Sequence, residues 1–324
     1  MSGSAPLTRR AVLGGTLAGG LGLAGVAAGA GPAHALRVPR GVRVLSQVRQ
    51  GRWVTLRLAS DALRTPATVR VLLPAGYDSH RNRHYPVLYL LHGTGDDAYA
   101  WQSKGRVQSI VGGADVIVVT PDGGHGGWYT RHDHVSSGTV DWERFHVSHV
   151  VRTVDALFRT RPRRAGRGIA GFSMGGYGAA IYGARHRWTF GAVTTFSGAT
   201  DAFDMNWRRL MYSAPTSDGE NAGAVYGSQP GHEQTADLRR RDPSTYAAAF
   251  AGRRVRLYAG NDAGYEASLR ASTQRFHAAL RSAGVKDLGL TILPGGHDWG
   301  TASAALRRDL PGMLASLNNP YDWR

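Results

Sequence analysis

The chain has 324 residues, a length that suits either two average domains or one large α/β domain. Its formal charge of +16 comes almost entirely from arginine, and the basic residues are spread along the chain with no nucleic-acid-binding motif beside them. Cysteine is absent, which excludes disulfides, thiolate metal sites and cysteine nucleophiles.

The first 35 residues predict an export signal. Arg9 and Arg10 open a stretch rich in alanine, glycine and leucine that ends in Ala33-His34-Ala35, the pattern of a twin-arginine signal peptide cleaved before Leu36. No second long apolar run follows. We therefore expect residues 36–324 to form one soluble domain without a transmembrane segment, secreted or associated with the cell envelope.

The elements that follow alternate between strand and helix. Antiparallel edge strands are predicted at residues 53–58 and 67–73. Continuous apolar runs, typical of buried parallel strands, span residues 86–91, 116–120, 168–172, 191–197, 255–259 and 288–293. Helices are predicted at residues 142–158, 175–187 and 265–283. This order predicts an α/β fold with a mostly parallel, doubly wound sheet of about eight strands.

The sharpest motif is Gly171-Phe172-Ser173-Met174-Gly175-Gly176, which follows an apolar strand and precedes a helix. That context is typical of a nucleophile elbow, in which a serine is held in a tight strand-to-helix turn. Gly171 and Gly175 leave room for the strand and the helix to approach each other. The motif predicts that Ser173 is a nucleophile in an α/β-hydrolase fold.

A serine needs a base, and the last predicted strand runs into Pro294-Gly295-Gly296-His297. His297 therefore stands where the histidine of a catalytic triad is expected in this fold, although a turn residue capping the next helix is the alternative. The acid should follow the preceding strand, where Asp262 and Glu266 are both candidates. It would accept the second ring N–H of His297.

An oxyanion hole requires two N–H donors placed in advance. We expect one of them to be the backbone N–H of Met174, the residue after the nucleophile. The other is expected from the His92-Gly93-Thr94-Gly95 loop after the strand at residues 86–91, and we assign it to Thr94, with Gly93 allowing close approach. His92 is then predicted to be structural.

Two further segments bear on function. Residues 201–250 break the alternation of strand and helix with polar turns and the run Arg239-Arg240-Arg241, and we predict an insertion over the active-site edge.

A group of histidines and an aspartate between residues 120 and 150 includes spacings that can build a zinc site. Its members are His125, His132, Asp133, His134, His146 and His149. No HExxH or comparable signature organises them, so no metal or other cofactor is predicted.

Taken together, Leu90-Leu91-His92-Gly93, the elbow and Gly295-Gly296-His297-Asp298-Trp299 resemble the bacterial esterase family that includes esterase D and the antigen 85 mycolyltransferases. The resemblance covers roughly residues 50–310. It is strongest to the antigen 85 branch, which has counterparts of Trp142-Glu143 and Asp242-Pro243. In that branch the acid lies in the helix after the seventh strand, which implies Glu266, whereas the esterase D type implies Asp262; we choose Glu266.

These observations predict a secreted serine esterase that hydrolyses small-molecule or lipid carboxylic esters through an acyl-enzyme on Ser173. The first alternative is a mycolyltransferase-like acyltransferase, which would move the acyl chain to a sugar or lipid hydroxyl, such as an acceptor in the cell envelope. The second is a non-catalytic cell-wall-binding protein in which the positive charge is the main feature. Nucleic acid is not an expected partner.

Overall fold

A computed structural model describes residues 38–135, 137–204, 206, 208–209, 225 and 234–317. Its strands are β1 (Val42–Gln50), β2 (Trp53–Ser60), β3 (Ala67–Leu72), β4 (Val87–Leu91), β5 (Ile117–Pro121), β6 (Arg167–Phe172), β7 (Ala192–Phe196), β8 (Arg254–Gly260) and β9 (Leu288–Leu293). The α-helices are α1 (Ala100–Ser103), α2 (Val107–Val111), α3 (Trp142–Arg144), α4 (Val151–Leu157), α5 (Met174–Arg185), α6 (Thr235–Arg241), α7 (Tyr265–Ser282) and α8 (Trp299–Leu317). A π-helical segment, Phe145–Val150, joins α3 to α4, and 3₁₀ segments cover Arg164–Gly166 and Pro243–Phe250.

One sheet runs through the described residues, with the strand order β1-β2-β3-β5-β4-β6-β7-β8-β9. The first three strands and β5 pair antiparallel, whereas β5, β4, β6, β7, β8 and β9 pair parallel. Strand order reverses beside β4, because the chain moves outward from β4 to β5 and then returns to place β6 on the other side. In a doubly wound sheet, the loops at the carboxyl ends of the strands flanking such a switch point form the crevice in which ligands bind.

The core consists of two apolar layers, one on each face of the sheet. One layer contains Tyr177 and Ile181 of α5 and Phe276 of α7. The other contains Trp101 of α1 and the apolar face of α8, including Leu306 and Leu310. Central strands β4 and β5 are buried along their whole length, which explains why their sequences, apart from Thr120, are apolar without alternation. No helix within the described ranges is both long and apolar enough to cross a membrane.

The α/β-hydrolase fold, with its mostly parallel sheet, is confirmed, and the predicted strands and helices lie within a few residues of their observed bounds. Sequence reasoning missed β1, so the sheet has nine strands among the described residues rather than about eight. The proposed signal peptide, residues 1–35, lies outside the described residues. Half of the predicted insertion, residues 201–250, also lies outside them, and α6 and the 3₁₀ segment Pro243–Phe250 form its described carboxyl-terminal part.

Candidate active site

Ser173 lies at the turn between β6 and α5, at the carboxyl edge of the sheet beside the switch point. Its backbone has φ = 57° and ψ = −117°, a region that residues with a side chain rarely adopt. The turn is held on both sides, because the Ser173 N–H donates to the Phe196 carbonyl (2.9 Å) and its carbonyl accepts from the Tyr177 N–H (3.1 Å). The strained turn presents the hydroxyl beyond the end of the strand, as a nucleophile elbow requires.

Glycine is required on both sides of this turn. An ideal Cβ on Gly171 would overlap the carbonyl oxygen of Gly175, and one on Gly175 would overlap the carbonyl oxygen of Leu91 at the end of β4. The two glycines let β4, β6 and the start of α5 converge at the elbow. Their spacing in the sequence therefore has a direct steric cause.

Three side chains from separate elements form a continuous hydrogen-bonded chain at this edge. Ser173 Oγ lies 2.8 Å from His297 Nε2, and His297 Nδ1 lies 2.9 Å from Glu266 Oε2. Ser173 follows β6, Glu266 is the second residue of α7, and His297 lies in the loop between β9 and α8. The structure thus brings together the three residues that the sequence singled out.

The Glu266 carboxylate is almost fully buried, with 2% of the residue exposed. Its other oxygen, Oε1, accepts from the Ser197 hydroxyl (2.7 Å) and the Gly260 N–H (2.5 Å). Burial alone would raise the pKa of Glu266, but the hydrogen bonds from His297, Ser197 and Gly260 outweigh burial and lower its pKa below 4.5. At neutral pH the group is therefore a carboxylate.

The charge of Glu266 fixes the proton positions along the chain. A carboxylate only accepts hydrogen bonds, so His297 Nδ1 carries the proton that is donated to Oε2. In the neutral ring, Nε2 is then an acceptor and faces the Ser173 hydroxyl, which donates to it. This arrangement can remove a proton from Ser173 as its oxygen attacks an electrophilic carbon.

Two aromatic rings hold the imidazole in place. The Phe172 ring lies 4.7 Å from the His297 ring, centroid to centroid, and the Tyr265 ring lies 4.8 Å away at 90°. Tyr265 is partly exposed, at 40%, whereas the side chain of His297 keeps only 18% of its accessible area. The histidine is therefore restricted in orientation, with its Nε2 directed at Ser173 Oγ.

The loop after β4 lies against the nucleophile, as predicted. An ideal Cβ on Gly93 would stand 3.5 Å from Ser173 Cβ, so the backbone of this loop passes directly beside the serine. The next residue is Thr94, whose hydroxyl is buried and has no hydrogen-bond partner within the described residues. Met174 is the first residue of α5, where a backbone N–H has no acceptor within the helix. Met174 thus borders Ser173 in sequence, and Thr94 follows the glycine that lies beside Ser173 in space.

The alternative acid, Asp262, lies exposed in the loop between β8 and α7. Its backbone N–H donates to the Gly295 carbonyl (3.1 Å), which ties that loop to the one carrying His297. The carboxylate that contacts His297 is that of Glu266.

Sequence reasoning missed Ser197, the residue after β7. It has φ = 45° and its hydroxyl donates to Glu266 Oε1. The only sequence signal is a serine-glycine pair at the carboxyl end of a predicted parallel strand, next to the strand that leads to the acid.

Three of the histidines at residues 120–150 make separate side-chain hydrogen bonds. His146 contacts the Tyr182 hydroxyl and the Asp122 carbonyl at 2.9 and 2.8 Å, and burial lowers its pKa to about 4. His149 contacts the Ser60 hydroxyl at 2.8 Å. His132 contacts the Gly127 carbonyl at 3.1 Å. Within the described ranges, no three histidine or acidic side chains are placed to hold a metal ion.

His92 is buried and lies beneath the loop that carries Thr94. Its Nδ1 lies 2.9 Å from the Gly93 carbonyl, and its Nε2 accepts from the Gly123 N–H at 2.8 Å. The ring therefore joins the β4 loop to the β5 loop.

Sequence comparison relates this chain to esterases. The family described as "Putative esterase" matches residues 60–315. Esterase Rv1288 of Mycobacterium tuberculosis is 32% identical over 275 residues, which cover 81% of this chain and 58% of the relative. The same figures hold for Esterase MT1326 from another strain of that organism. The chain thus spans less than two thirds of the length of these relatives.

Solved structures give the same fold. A ferulic acid esterase is 26% identical, with a TM-score of 0.66, over 82% of this chain and 97% of that one. MPT51 (FbpC1) of Mycobacterium tuberculosis has a TM-score of 0.69 at 20% identity, over 81% of this chain and 98% of that one. At that identity the second likeness concerns the fold alone.

Proposed function

Because the chain belongs to this esterase family, we propose that it is an exported serine esterase that hydrolyses carboxylic esters through an acyl-enzyme on Ser173. The observation that carries the proposal is the hydrogen-bonded chain from Ser173 through His297 to the buried carboxylate of Glu266. The strained elbow that holds Ser173 and the lowered pKa of Glu266 support it.

In the first half of the reaction, Ser173 Oγ attacks the ester carbonyl while its proton passes to His297 Nε2. The imidazolium that results is stabilised by the Glu266 carboxylate 2.9 Å from Nδ1. We assign the backbone N–H groups of Met174 and Thr94 to the oxyanion of the tetrahedral intermediate. When that intermediate collapses, His297 gives its proton to the leaving alkoxide, and the acyl group stays on Ser173.

The second half resolves the acyl-enzyme. His297 removes a proton from a water molecule, whose oxygen attacks the acyl carbonyl. The proton returns from His297 to Ser173 Oγ as the C–O bond to the serine breaks, and the carboxylic acid is released. The same three side chains serve both halves, and neither half requires a cofactor.

For the substrate, the ferulic acid esterase relative suggests esters of hydroxycinnamic acids as one class to test. The predicted signal at residues 1–35 would place the enzyme outside the cytoplasm. An acyltransferase is the second candidate, because a sugar or lipid hydroxyl in place of water would resolve the same acyl-enzyme. A non-catalytic wall-binding protein is the third, supported by the charge of +16 alone.

The test is turnover of p-nitrophenyl esters with short and long acyl chains and of methyl ferulate, measured with and without sugar acceptors. Wild type is compared with Ser173→Ala and His297→Ala, and a burst of p-nitrophenol at high enzyme concentration reports the acyl-enzyme. We expect both variants to lose turnover by at least about a thousandfold. Acylated sugar as the main product would favour the acyltransferase. Activity that survives Ser173→Ala would overturn the mechanism.

Export needs its own test. The first 35 residues fused to a reporter that acts only after twin-arginine transport should be exported, and Arg9→Lys combined with Arg10→Lys should abolish export. Equal export of the double variant would contradict the assignment.

A further inference from the structure

Three arginines and a tryptophan gather at the amino edge of the sheet, opposite the active site. Arg164 precedes β6, Arg187 and Trp188 precede β7, and Arg253 precedes β8. Together they line a surface cavity of about 90 Å³. Because β6, β7 and β8 are parallel, this cluster and Ser173 lie at opposite ends of the same strands. We refer to these four residues as the arginine–tryptophan cluster.

The cavity has a positive charge that its own lining does not neutralise. Besides the cluster, its lining residues are Ala248, Ala249 and Ala251, so the lining contains no carboxylate. Arg253 is 3% exposed, and burial together with repulsion from Arg164 and Arg187 lowers its pKa to about 10. Three guanidinium groups close enough to repel one another create a potential that favours an anion.

The guanidinium groups also keep unused donors. Arg253 donates to the carbonyls of Gly183 and Ala249, at 2.6 and 2.5 Å, which fixes its position. The Nε of Arg253 and the Nε of Arg164 are buried, yet neither has an acceptor within the described residues. Buried N–H groups of this kind normally find a partner, so these two donors are available to an anionic ligand beside the cavity.

Trp188 adds a flat apolar surface at the mouth of the cavity. It is 68% exposed, more than any other large hydrophobic side chain among the described residues. The Arg187 guanidinium carbon lies 4.5 Å from the centre of its ring, and that of Arg164 lies 5.9 Å away. These cation–π contacts hold the indole in position while leaving most of it open. An indole held in this way can pack against the C–H face of a sugar ring.

We propose that the arginine–tryptophan cluster binds an acidic polysaccharide, with one carboxylate of the polymer among the arginines and the adjoining sugar ring on Trp188. The cavity has room for a charged substituent, and the indole offers the stacking surface beside it. Nucleic acid fits less well, because the cluster provides one anion pocket and one ring rather than a basic track along a phosphate backbone. The export signal predicted at residues 1–35 would also bring the protein to extracellular glycans.

The test is binding of the full-length protein to polygalacturonate, measured by titration calorimetry at low and physiological ionic strength. Carboxyl-reduced polygalacturonate, which keeps the ring but has no charge, and single-stranded DNA, which has charge and aromatic bases, are the comparison ligands. Trp188→Ala and Arg187→Ala are compared with Arg43→Ala, which removes the same charge from an exposed position on β1. Trp188 and Arg187 are exposed, so neither change should unfold the protein.

We expect polygalacturonate to bind and the two cluster variants to weaken that binding about tenfold each, while Arg43→Ala changes it less than about twofold. Turnover of a small p-nitrophenyl ester should not change in either cluster variant, and Ser173→Ala should bind the polymer as wild type does. Equal binding by wild type and Trp188→Ala would overturn the proposal. So would equal binding of the carboxyl-reduced polymer, or tighter binding of DNA. If the protein bound the polymer but showed no esterase activity, only the proposed esterase function would be contradicted, and the polysaccharide site would stand.

Discussion

Glu266→Gln tests the site most sharply, because the substitution keeps the shape of the side chain and removes only its charge. Oε1 of Glu266 accepts from both Ser197 and Gly260, whereas Oε2 faces His297. An amide satisfies the first two donors only if its oxygen takes the Oε1 position. Its NH₂ group then points at His297 Nδ1, which must become an acceptor, so the proton moves to Nε2.

A His297 ring with its proton on Nε2 cannot accept the proton of Ser173. We therefore expect kcat for a p-nitrophenyl ester to fall about ten-thousandfold, a loss of about 5 kcal/mol of transition-state stabilisation, with little change in KM. Asp262→Asn is the matched control, since it removes the same charge from the exposed neighbouring loop and should change kcat less than about twofold. A Glu266→Gln enzyme with more than a tenth of wild-type kcat, or an Asp262→Asn enzyme that is inactive, would refute the assignment of the acid.

The lowered pKa of Glu266 also predicts that the stability of the folded protein depends on pH. The pKa of Glu266 is lowered in the folded protein from its ordinary value of 4.5, so its charge stabilises the fold above that pH. This contribution is lost as the pH falls through the lower, folded pKa. Chemical denaturation of wild type and Glu266→Gln should therefore show a stability difference at pH 6 that narrows below pH 4.5. A difference that stays constant from pH 6 to pH 3 would contradict the lowered pKa.

Three further substitutions test the residues around the site and the frame that holds it. Ser197→Ala removes a hydrogen bond to the charged Glu266 and should lower kcat about tenfold at unchanged KM; an unchanged kcat would show that Ser197 does not position the acid. Gly175→Ala should lower the melting temperature by several degrees or prevent folding, because its Cβ would overlap the Leu91 carbonyl, whereas Gly113→Ala, with open space around it, should not. Asp309→Asn should cost about 3–5 kcal/mol of folding free energy, measured by urea denaturation, because it leaves the buried Arg254 guanidinium (2.6 Å away) without its counter-charge. A cost below about 1 kcal/mol would contradict that reasoning.

The parts of the fold that could be predicted are those in which burial or steric crowding determines the local sequence pattern. Central strands such as β4 are buried on both faces and therefore consist of apolar residues throughout. The elbow could be predicted because steric crowding requires glycine at fixed distances from Ser173. Strand β1 was missed because it lies at the edge of the sheet with most of its residues exposed, so burial imposes little pattern on its sequence.

The parts that could not be predicted depend on which strands become neighbours. Ser197 reaches Glu266 only because β7 pairs with β8, and the residues around Ser197 do not encode that pairing. The choice between Asp262 and Glu266 had the same difficulty, since both follow β8 and either could have faced His297. The family resemblance favoured Glu266, but the contact itself depends on the direction in which α7 leaves the sheet. A helix direction is a property of tertiary packing rather than of local sequence.

The start of α7 explains how a buried carboxylate is tolerated at this position. Glu266 is the second residue of the helix, where the unpaired N–H groups and the helix dipole favour a negative charge. One turn later, the Arg270 guanidinium donates to the carbonyls of Gly260 (2.8 Å) and Asp262 (3.0 Å), which anchors the loop between β8 and the helix. The N–H of Gly260, the last residue of β8, donates to Glu266 Oε1. The start of the helix therefore stabilises the carboxylate charge of Glu266 and also fixes the direction of its side chain. This allows Glu266, four residues beyond Asp262, to face His297.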